Sequence, residues 1–243
     1  MTKHFDLIAF DADDTLWHNE ILFIAAREKL EAILATYGIH QGVEEILFKY
    51  ETRSLEHFGF GVNGFTFSML ETAVEMTSGS LRGEDVLNII NIARWMLENP
   101  VELFEGVVDT ISRLSKTHRL IIITKGEMLN QQNKVNRSGI AGYFQKIEIV
   151  NSKAMEDYAT ILEQAGVEPS RFLMVGNSLK SDILPALSLG GWAVYIPFIH
   201  TWAHEIETAP EPGRPRFTEL KHISLLPEFI QQIESGISRT DLP

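Results

Sequence analysis

The spacing of hydrophobic and polar residues changes character along this chain. Residues 5–10 are the first predicted strand, and its last four, Leu7-Ile8-Ala9-Phe10, form a short apolar run that barely alternates. Such a run reads as a strand buried on both faces, in the interior of a parallel sheet. From residue 18 to residue 98 the period becomes helical and no strand pattern intervenes. Leu22, Ala26, Leu30, Ile33, Leu34 and Tyr37 recur at helical intervals, and Gly38 closes that helix. Residues 44–57 and 66–76 predict further helices, separated by a Gly- and aromatic-rich loop over 58–65. Val86, Ile89, Ile90, Ala93, Met96 and Leu97 mark another, and Pro100 closes the region.

Beyond Pro100, helices and strands alternate. Helices are predicted over 107–114, 129–137, 154–165, 182–189 and 226–233. Strands are predicted over 120–123, 145–150, 171–175, 192–196 and 217–220, with a Pro-rich surface loop at 210–215. This rhythm implies an α/β fold: a doubly wound parallel sheet with helices on both faces and right-handed crossovers. Residues 1–17 and 99–243 are assigned to one Rossmann-like core, and 18–98 to an all-helical domain inserted after the first strand. An insertion there is expected over the carboxyl end of that strand, in the position of a lid.

Composition adds limits. With 243 residues, 44% hydrophobic and 22% charged, the chain has room for one sizeable core and an insertion. A formal net charge of −12 argues against binding nucleic acid through its phosphates. Any small anionic substrate must therefore meet a local positive charge. The absence of Cys excludes disulfides, thiolate metal sites and Cys nucleophiles. The N-terminus meets acids too early for a secretory signal, and no apolar run reaches membrane-spanning length. A soluble cytoplasmic protein without a membrane partner is expected.

The candidate chemistry gathers at the strand ends, which converge on one rim of a parallel sheet. The first strand runs into Asp11-Ala12-Asp13-Asp14-Thr15, three carboxylates within four residues. Read alone, this stretch fits a capped turn as well as a catalytic centre. The second strand ends at Thr124-Lys125-Gly126. Lys153 follows the third, and Gly176-Asn177-Ser178 the fourth, with Asp182 just beyond. Carboxylates, a hydroxyl, a lysine and an amide are the parts that metal-assisted phosphoryl transfer requires.

These elements resemble the haloacid dehalogenase-like hydrolase superfamily. Asp11 to Thr15 looks like its D-x-D-x-T motif, and Ile121-Ile122-Ile123-Thr124 like its second motif. Lys153 looks like the lysine of the third motif, and Gly176 to Asp182 like the G-D-x-x-x-x-D of the fourth. The match covers essentially the whole chain, with all the motifs in order.

The resemblance implies a Mg²⁺-dependent phosphomonoesterase acting on a small phosphorylated metabolite through an aspartyl-phosphate. Asp11 would attack, and Asp13 would protonate the leaving oxygen and then activate water. Mg²⁺ would rest on Asp11, the backbone carbonyl of Asp13, and Asn177 or Asp182. Thr124 and Lys153 would hold the phosphoryl group, while Lys125 either touches phosphate or is a solvated residue. Asp14 and Thr15 are assigned to shaping the turn. Asn177 departs from the family, which usually has Asp there, and brings no charge to a metal. Ser181 is a candidate cap for the following helix. The family's 2-haloacid dehalogenases lack an acid two residues after the nucleophile, so Asp13 points to phosphoryl chemistry. A phosphomutase shares the same acid pair, and a non-catalytic binding protein that keeps the fold is the alternative from another class. The loop at 58–65 would read substrate or pack in a core. The run 200–205 follows the last central strand and could border the site; with two His and one Glu, it reads as a capped surface helix rather than a metal cluster.

Overall fold

The computed structural model describes residues 3–200, 202–211 and 213–236. Part of the Pro-rich loop, Pro212, and Thr201 of the 200–205 run lie outside the described residues. The chain divides into two compact units. One comprises Met1–His18, Val101–Lys125 and Gln132–Pro243, the other Asn19–Pro100 together with Gly126–Gln131.

The first unit is built on six parallel strands: β1 (Leu7–Phe10), β2 (Arg119–Lys125), β3 (Lys146–Val150), β4 (Phe172–Gly176), β5 (Trp192–Tyr195) and β6 (Phe217–Glu219). Their order is β3-β2-β1-β4-β5-β6. Pleating sends alternate residues of each strand to opposite faces. Ile8, Phe10, Ile122 and Val175 enter one core, Leu7, Ala9, Ile121 and Met174 the other. Each core is closed by helices. The first takes Val107, Ile111 and Leu114, and Phe229 and Ile230. The second takes Tyr158, Ile161 and Leu162. Every residue of β1 is fully buried, which stabilises the fold by about 1.5–3 kcal/mol for each large side chain.

Among the described residues the α-helices are α1 (Glu20–Ala35), α2 (Val43–Phe58), α3 (Val62–Met76), α4 (Gly83–Glu98), α5 (Val107–Ser115), α6 (Met128–Arg137), α7 (Met155–Ala165), α8 (Leu184–Ser188) and α9 (Leu226–Glu234). In the second unit α1 to α4 bury Leu30, Leu34, Leu47, Phe65, Met69, Ile89 and Met96 against one another. No helix among the described residues is long and apolar enough to cross a membrane.

Two local expectations are corrected. The loop at 58–65 is shorter than its composition implies: α2 runs through Phe58 and α3 begins at Val62. Gly59 and Gly61, both at positive φ, make the turn by themselves, and Phe65 is buried within α3. The helix expected at 182–189 is present as α8, but its start is corrected: a turn of π-helix at Leu179–Ile183 precedes it and takes in Asp182. The cap there is Ser178, not Ser181: the Ser178 hydroxyl accepts the Ser181 N–H at 2.9 Å. Pro185, which lacks an N–H, sits in the first turn of α8, where none is needed.

Candidate active site

Strand order reverses between β1 and β4, because β2 lies on one side of β1 and β4 on the other. Open α/β sheets place their sites at the carboxyl ends of such a pair. Asp11 stands there. Its N–H extends the ladder to the Val175 carbonyl at 2.9 Å, so its backbone continues β1. The chain then folds back sharply: Leu16 N–H bonds the Ala12 carbonyl at 2.8 Å, and Asp14 N–H bonds the Trp17 carbonyl at 2.8 Å. Asp14 takes φ +60°, a left-handed conformation that Asp tolerates better than most residues.

Three of the motifs meet on the Asp11 carboxylate. Lys153 Nζ donates to Asp11 Oδ1 and, at 2.7 Å, to Asp182 Oδ1. The Thr15 hydroxyl lies 2.9 Å from Asp11 Oδ2 and 3.1 Å from Asn177 Oδ1. Asp182 is fully buried, and its other oxygen accepts the Ser178 N–H at 2.9 Å. A Cβ on Gly176 would fall 2.2 Å from Asp182 Oδ2, so only glycine leaves room for this carboxylate. Thr124 is also buried, with its hydroxyl 3.4 Å from the Lys125 carbonyl.

One ammonium shared by two buried acids fixes the local electrostatics. Burial pushes the Asp11 carboxyl up; Lys153 opposes this and Asp182 adds to it, leaving Asp11 at about 7. Burial alone would lower the Lys153 ammonium, but the charges of Asp11 and Asp182 outweigh it and hold Lys153 above its ordinary value.

Asp13 keeps separate company. Its carboxylate accepts the Trp17 Nε1–H at 2.7 Å, and Lys134 Nζ reaches its two oxygens at 2.7 and 2.8 Å. Lys125 does not stand as a solvated residue: its ammonium pairs with Glu205 and lies 2.8 Å from the Ser181 hydroxyl. Glu205 comes from a 3₁₀ turn, Ala203–Glu205, rather than a capped surface helix, and also accepts from the Ser178 and Ser181 hydroxyls. Burial pushes the Glu205 carboxyl up, but the Lys125 charge and these hydrogen bonds hold it below the usual range.

Asp11 Oδ2 and Asn177 Oδ1 both lie within hydrogen-bond distance of the Thr15 hydroxyl, so two hard oxygens flank one point of the site. That donor set fits Mg²⁺. Both oxygens of Asp182 are already engaged, by Lys153 and by the Ser178 amide. Among the described residues no three His or acidic side chains gather into a metal-holding group.

Nothing in the sequence marked Lys134 or Trp17, Thr15 was assigned only to the turn, and Glu205 fell in a run that could border the site but read as a capped surface helix. For Thr15 the signal was present, since the motif itself ends on it. Glu205 reaches the site from the segment after β5, and Lys134 from α6, where no local pattern marks it.

Fold and site together define a doubly wound α/β protein with an aspartate–lysine centre at its switch point. The chain belongs to the haloacid dehalogenase-like hydrolases, whose family model matches residues 5–190. It is similar to the glyceraldehyde 3-phosphate phosphatase of Methanothermobacter thermautotrophicus, 25% identical over 195 residues, 78% of this chain and 84% of that one. Among solved structures, a haloacid dehalogenase-like hydrolase from Xanthomonas campestris is 32% identical and superimposes with a TM-score of 0.83 over 97% of this chain and 98% of that one. A 2-haloacid dehalogenase from Pseudomonas syringae shares the fold, at 23% identity and a TM-score of 0.65 over 94% of this chain and 99% of that one.

Proposed function

We propose that the protein is a Mg²⁺-dependent phosphomonoesterase acting on a small phosphorylated metabolite, with Asp11 as nucleophile. The observation that carries this is the pair of acids held in two different environments: Asp11 buried against Lys153, Asp13 on Trp17 and Lys134. Displacement at phosphorus by a carboxylate leaves an aspartyl-phosphate, and an ester oxygen departs better when an acid protonates it. Asp13 supplies that proton and afterwards takes one from the attacking water. A dehalogenase releases halide and needs no such acid. The phosphatase relative named above points the same way.

Lys153 neutralises charge on the phosphoryl oxygens, and Thr124 with its neighbouring amides binds them. Asp182 holds Lys153 in place. Asp11, the Asp13 carbonyl and Asn177 would hold Mg²⁺, which when bound would supply further charge neutralisation. The net-acidic chain meets an anionic substrate through these cations. The helical unit is proposed as the part that sets substrate choice.

The test is hydrolysis of p-nitrophenyl phosphate with and without Mg²⁺. Turnover that requires Mg²⁺ and vanishes in Asp11→Asn is expected. Metal-independent turnover, or an active Asp11→Asn, would overturn the proposal.

A further inference from the structure

The carboxylate given the proton-transfer role is held from outside its own motif. Asp13 and Lys134 are 121 residues apart, yet Lys134 Nζ lies 2.7 Å from one Asp13 oxygen and 2.8 Å from the other. Trp17 Nε1 adds a third bond at 2.7 Å. Trp17 is fully buried and its own backbone is tied to Leu103 and Asp13 by β-bridges, so its N–H is a fixed point. Lys134 lies in the last turns of α6, and its side chain is 13% exposed. Asp13 is 24% exposed, which leaves it reachable from solvent.

An aspartate with only two side-chain torsions needs few anchors to fix its head group. The bond from Trp17 holds one oxygen, and a second group bridging both oxygens sets the rotation of the carboxylate about it. Proton transfer demands this definition, because the donor must stand within hydrogen-bond reach of the ester oxygen.

We propose that Lys134 is a positioning residue for proton transfer: by bridging both oxygens of Asp13 it sets where that carboxylate stands when the leaving group departs. The proposal rests on the phosphomonoesterase assignment and adds to it a residue outside the motifs. Lys134 touches no reacting atom in this scheme; it acts through Asp13. Its effect therefore depends on how much the leaving group needs a proton. An alkyl phosphate, which departs as a strongly basic alkoxide, needs it most. A nitrophenyl phosphate needs it least.

The experiment measures kcat/KM for wild type, Lys134→Met, Lys134→Arg and Asp13→Asn on a series of phosphates running from nitrophenyl to phenyl to simple alkyl, in Mg²⁺. This ratio reports the steps up to release of the alcohol or phenol. Lys134→Met is expected to lose about tenfold on the alkyl ester, a fraction of the 10²–10⁴ that general acids supply, and much less on the nitrophenyl ester. Its dependence on leaving-group pKa should steepen toward that of Asp13→Asn. Lys134→Arg, which keeps two donors facing a carboxylate, should return most of the alkyl activity. Lys134→Gln is made alongside, so that a Met variant that fails to fold does not end the test. A uniform loss across the series, with the wild-type slope retained, would mean Lys134 serves the fold alone and would overturn the proposal. Wild-type activity with unaltered Lys134 variants would overturn it while leaving the phosphatase assignment standing. An inactive wild type would overturn both.

Discussion

Gly176→Ala puts the architecture of the candidate site to a direct test. A Cβ at this position would lie 2.2 Å from Asp182 Oδ2, 2.4 Å from Cγ and 2.6 Å from Cβ. Rotating the carboxylate away does not relieve the clash, because the Asp182 Cβ is itself too close. The π-helical turn that carries Asp182 must move. Its movement breaks the 2.9 Å bond from the Ser178 amide and the 2.7 Å bond to Lys153, both buried. Separating a buried ion pair costs about 3–5 kcal/mol. At about 2–4 °C per kcal/mol for a domain of this size, the melting temperature should fall by roughly 6–20 °C. Any folded fraction should turn over aryl phosphate poorly, since Lys153 loses the partner that places it. Gly83→Ala is the control: its Cβ would meet nothing within 4 Å, so it should be neutral or slightly stabilising. The measurement is a thermal melt followed by circular dichroism, paired with kcat for aryl phosphate hydrolysis in Mg²⁺. A Gly176→Ala protein that melts and turns over like wild type would refute the account of Asp182 as the clamp on Lys153.

Other substitutions probe the electrostatics. Because the folded Asp11 carboxyl titrates near 7 against an ordinary value of 3.8, the folded state holds its proton more tightly than the unfolded chain. Stability tied to Asp11 is therefore present at low pH and lost as pH rises from about 4 through 7. In the metal-free protein, Asp11→Asn should raise the melting temperature more at pH 8 than at pH 4; an equal gain at both would contradict the burial account. Lys153→Met leaves Asp11 and Asp182 buried without their shared cation and should destabilise by about 3–5 kcal/mol in urea melts. Asn177→Asp adds a charge beside Asp11 and should lower the Mg²⁺ concentration for half-maximal activity; an unmoved midpoint would remove Asn177 from the metal's ligands.

Much of the sheet was legible because β1, β2 and β4 are buried on both faces, and burial on both faces writes a continuous apolar run. Thr124 and Asn177 could be placed at strand ends because each lies at or just past such a run, whereas Lys153 follows β3, a half-buried strand with Lys146 and Glu148 among its residues. The π-helical turn was not legible. Hydrophobic spacing at Ile183, Ala186 and Leu187 reports only that the segment is buried. The backbone there is set by the polar contacts of Ser178 and Asp182, which spacing does not record. Lys125 was ambiguous for a similar reason: its partner Glu205 is 80 residues away. Lys134 looked like any lysine on an exposed helix face. Only the tertiary path of α6 brings it to Asp13.

β1 is central in space yet has no neighbour close in sequence. Leu7 pairs with Arg119 on one side and with Phe172 on the other. During synthesis this apolar segment must wait for more than a hundred residues before its first partner emerges, a long-range pairing of the kind that folds slowly. The intervening chain shortens the wait. Trp17 bridges Leu103, and the His18 N–H bonds the Glu102 carbonyl at 3.0 Å, so the departing and returning segments run side by side. Helices made mostly of local contacts can form between these two points and draw them together, replacing a long flexible loop by a short closed one. The chain therefore leaves and re-enters the first unit at neighbouring points, and a short linker joining His18 to Val101 should leave the six-stranded sheet able to assemble, as the circular dichroism and thermal melt of the shortened chain would report.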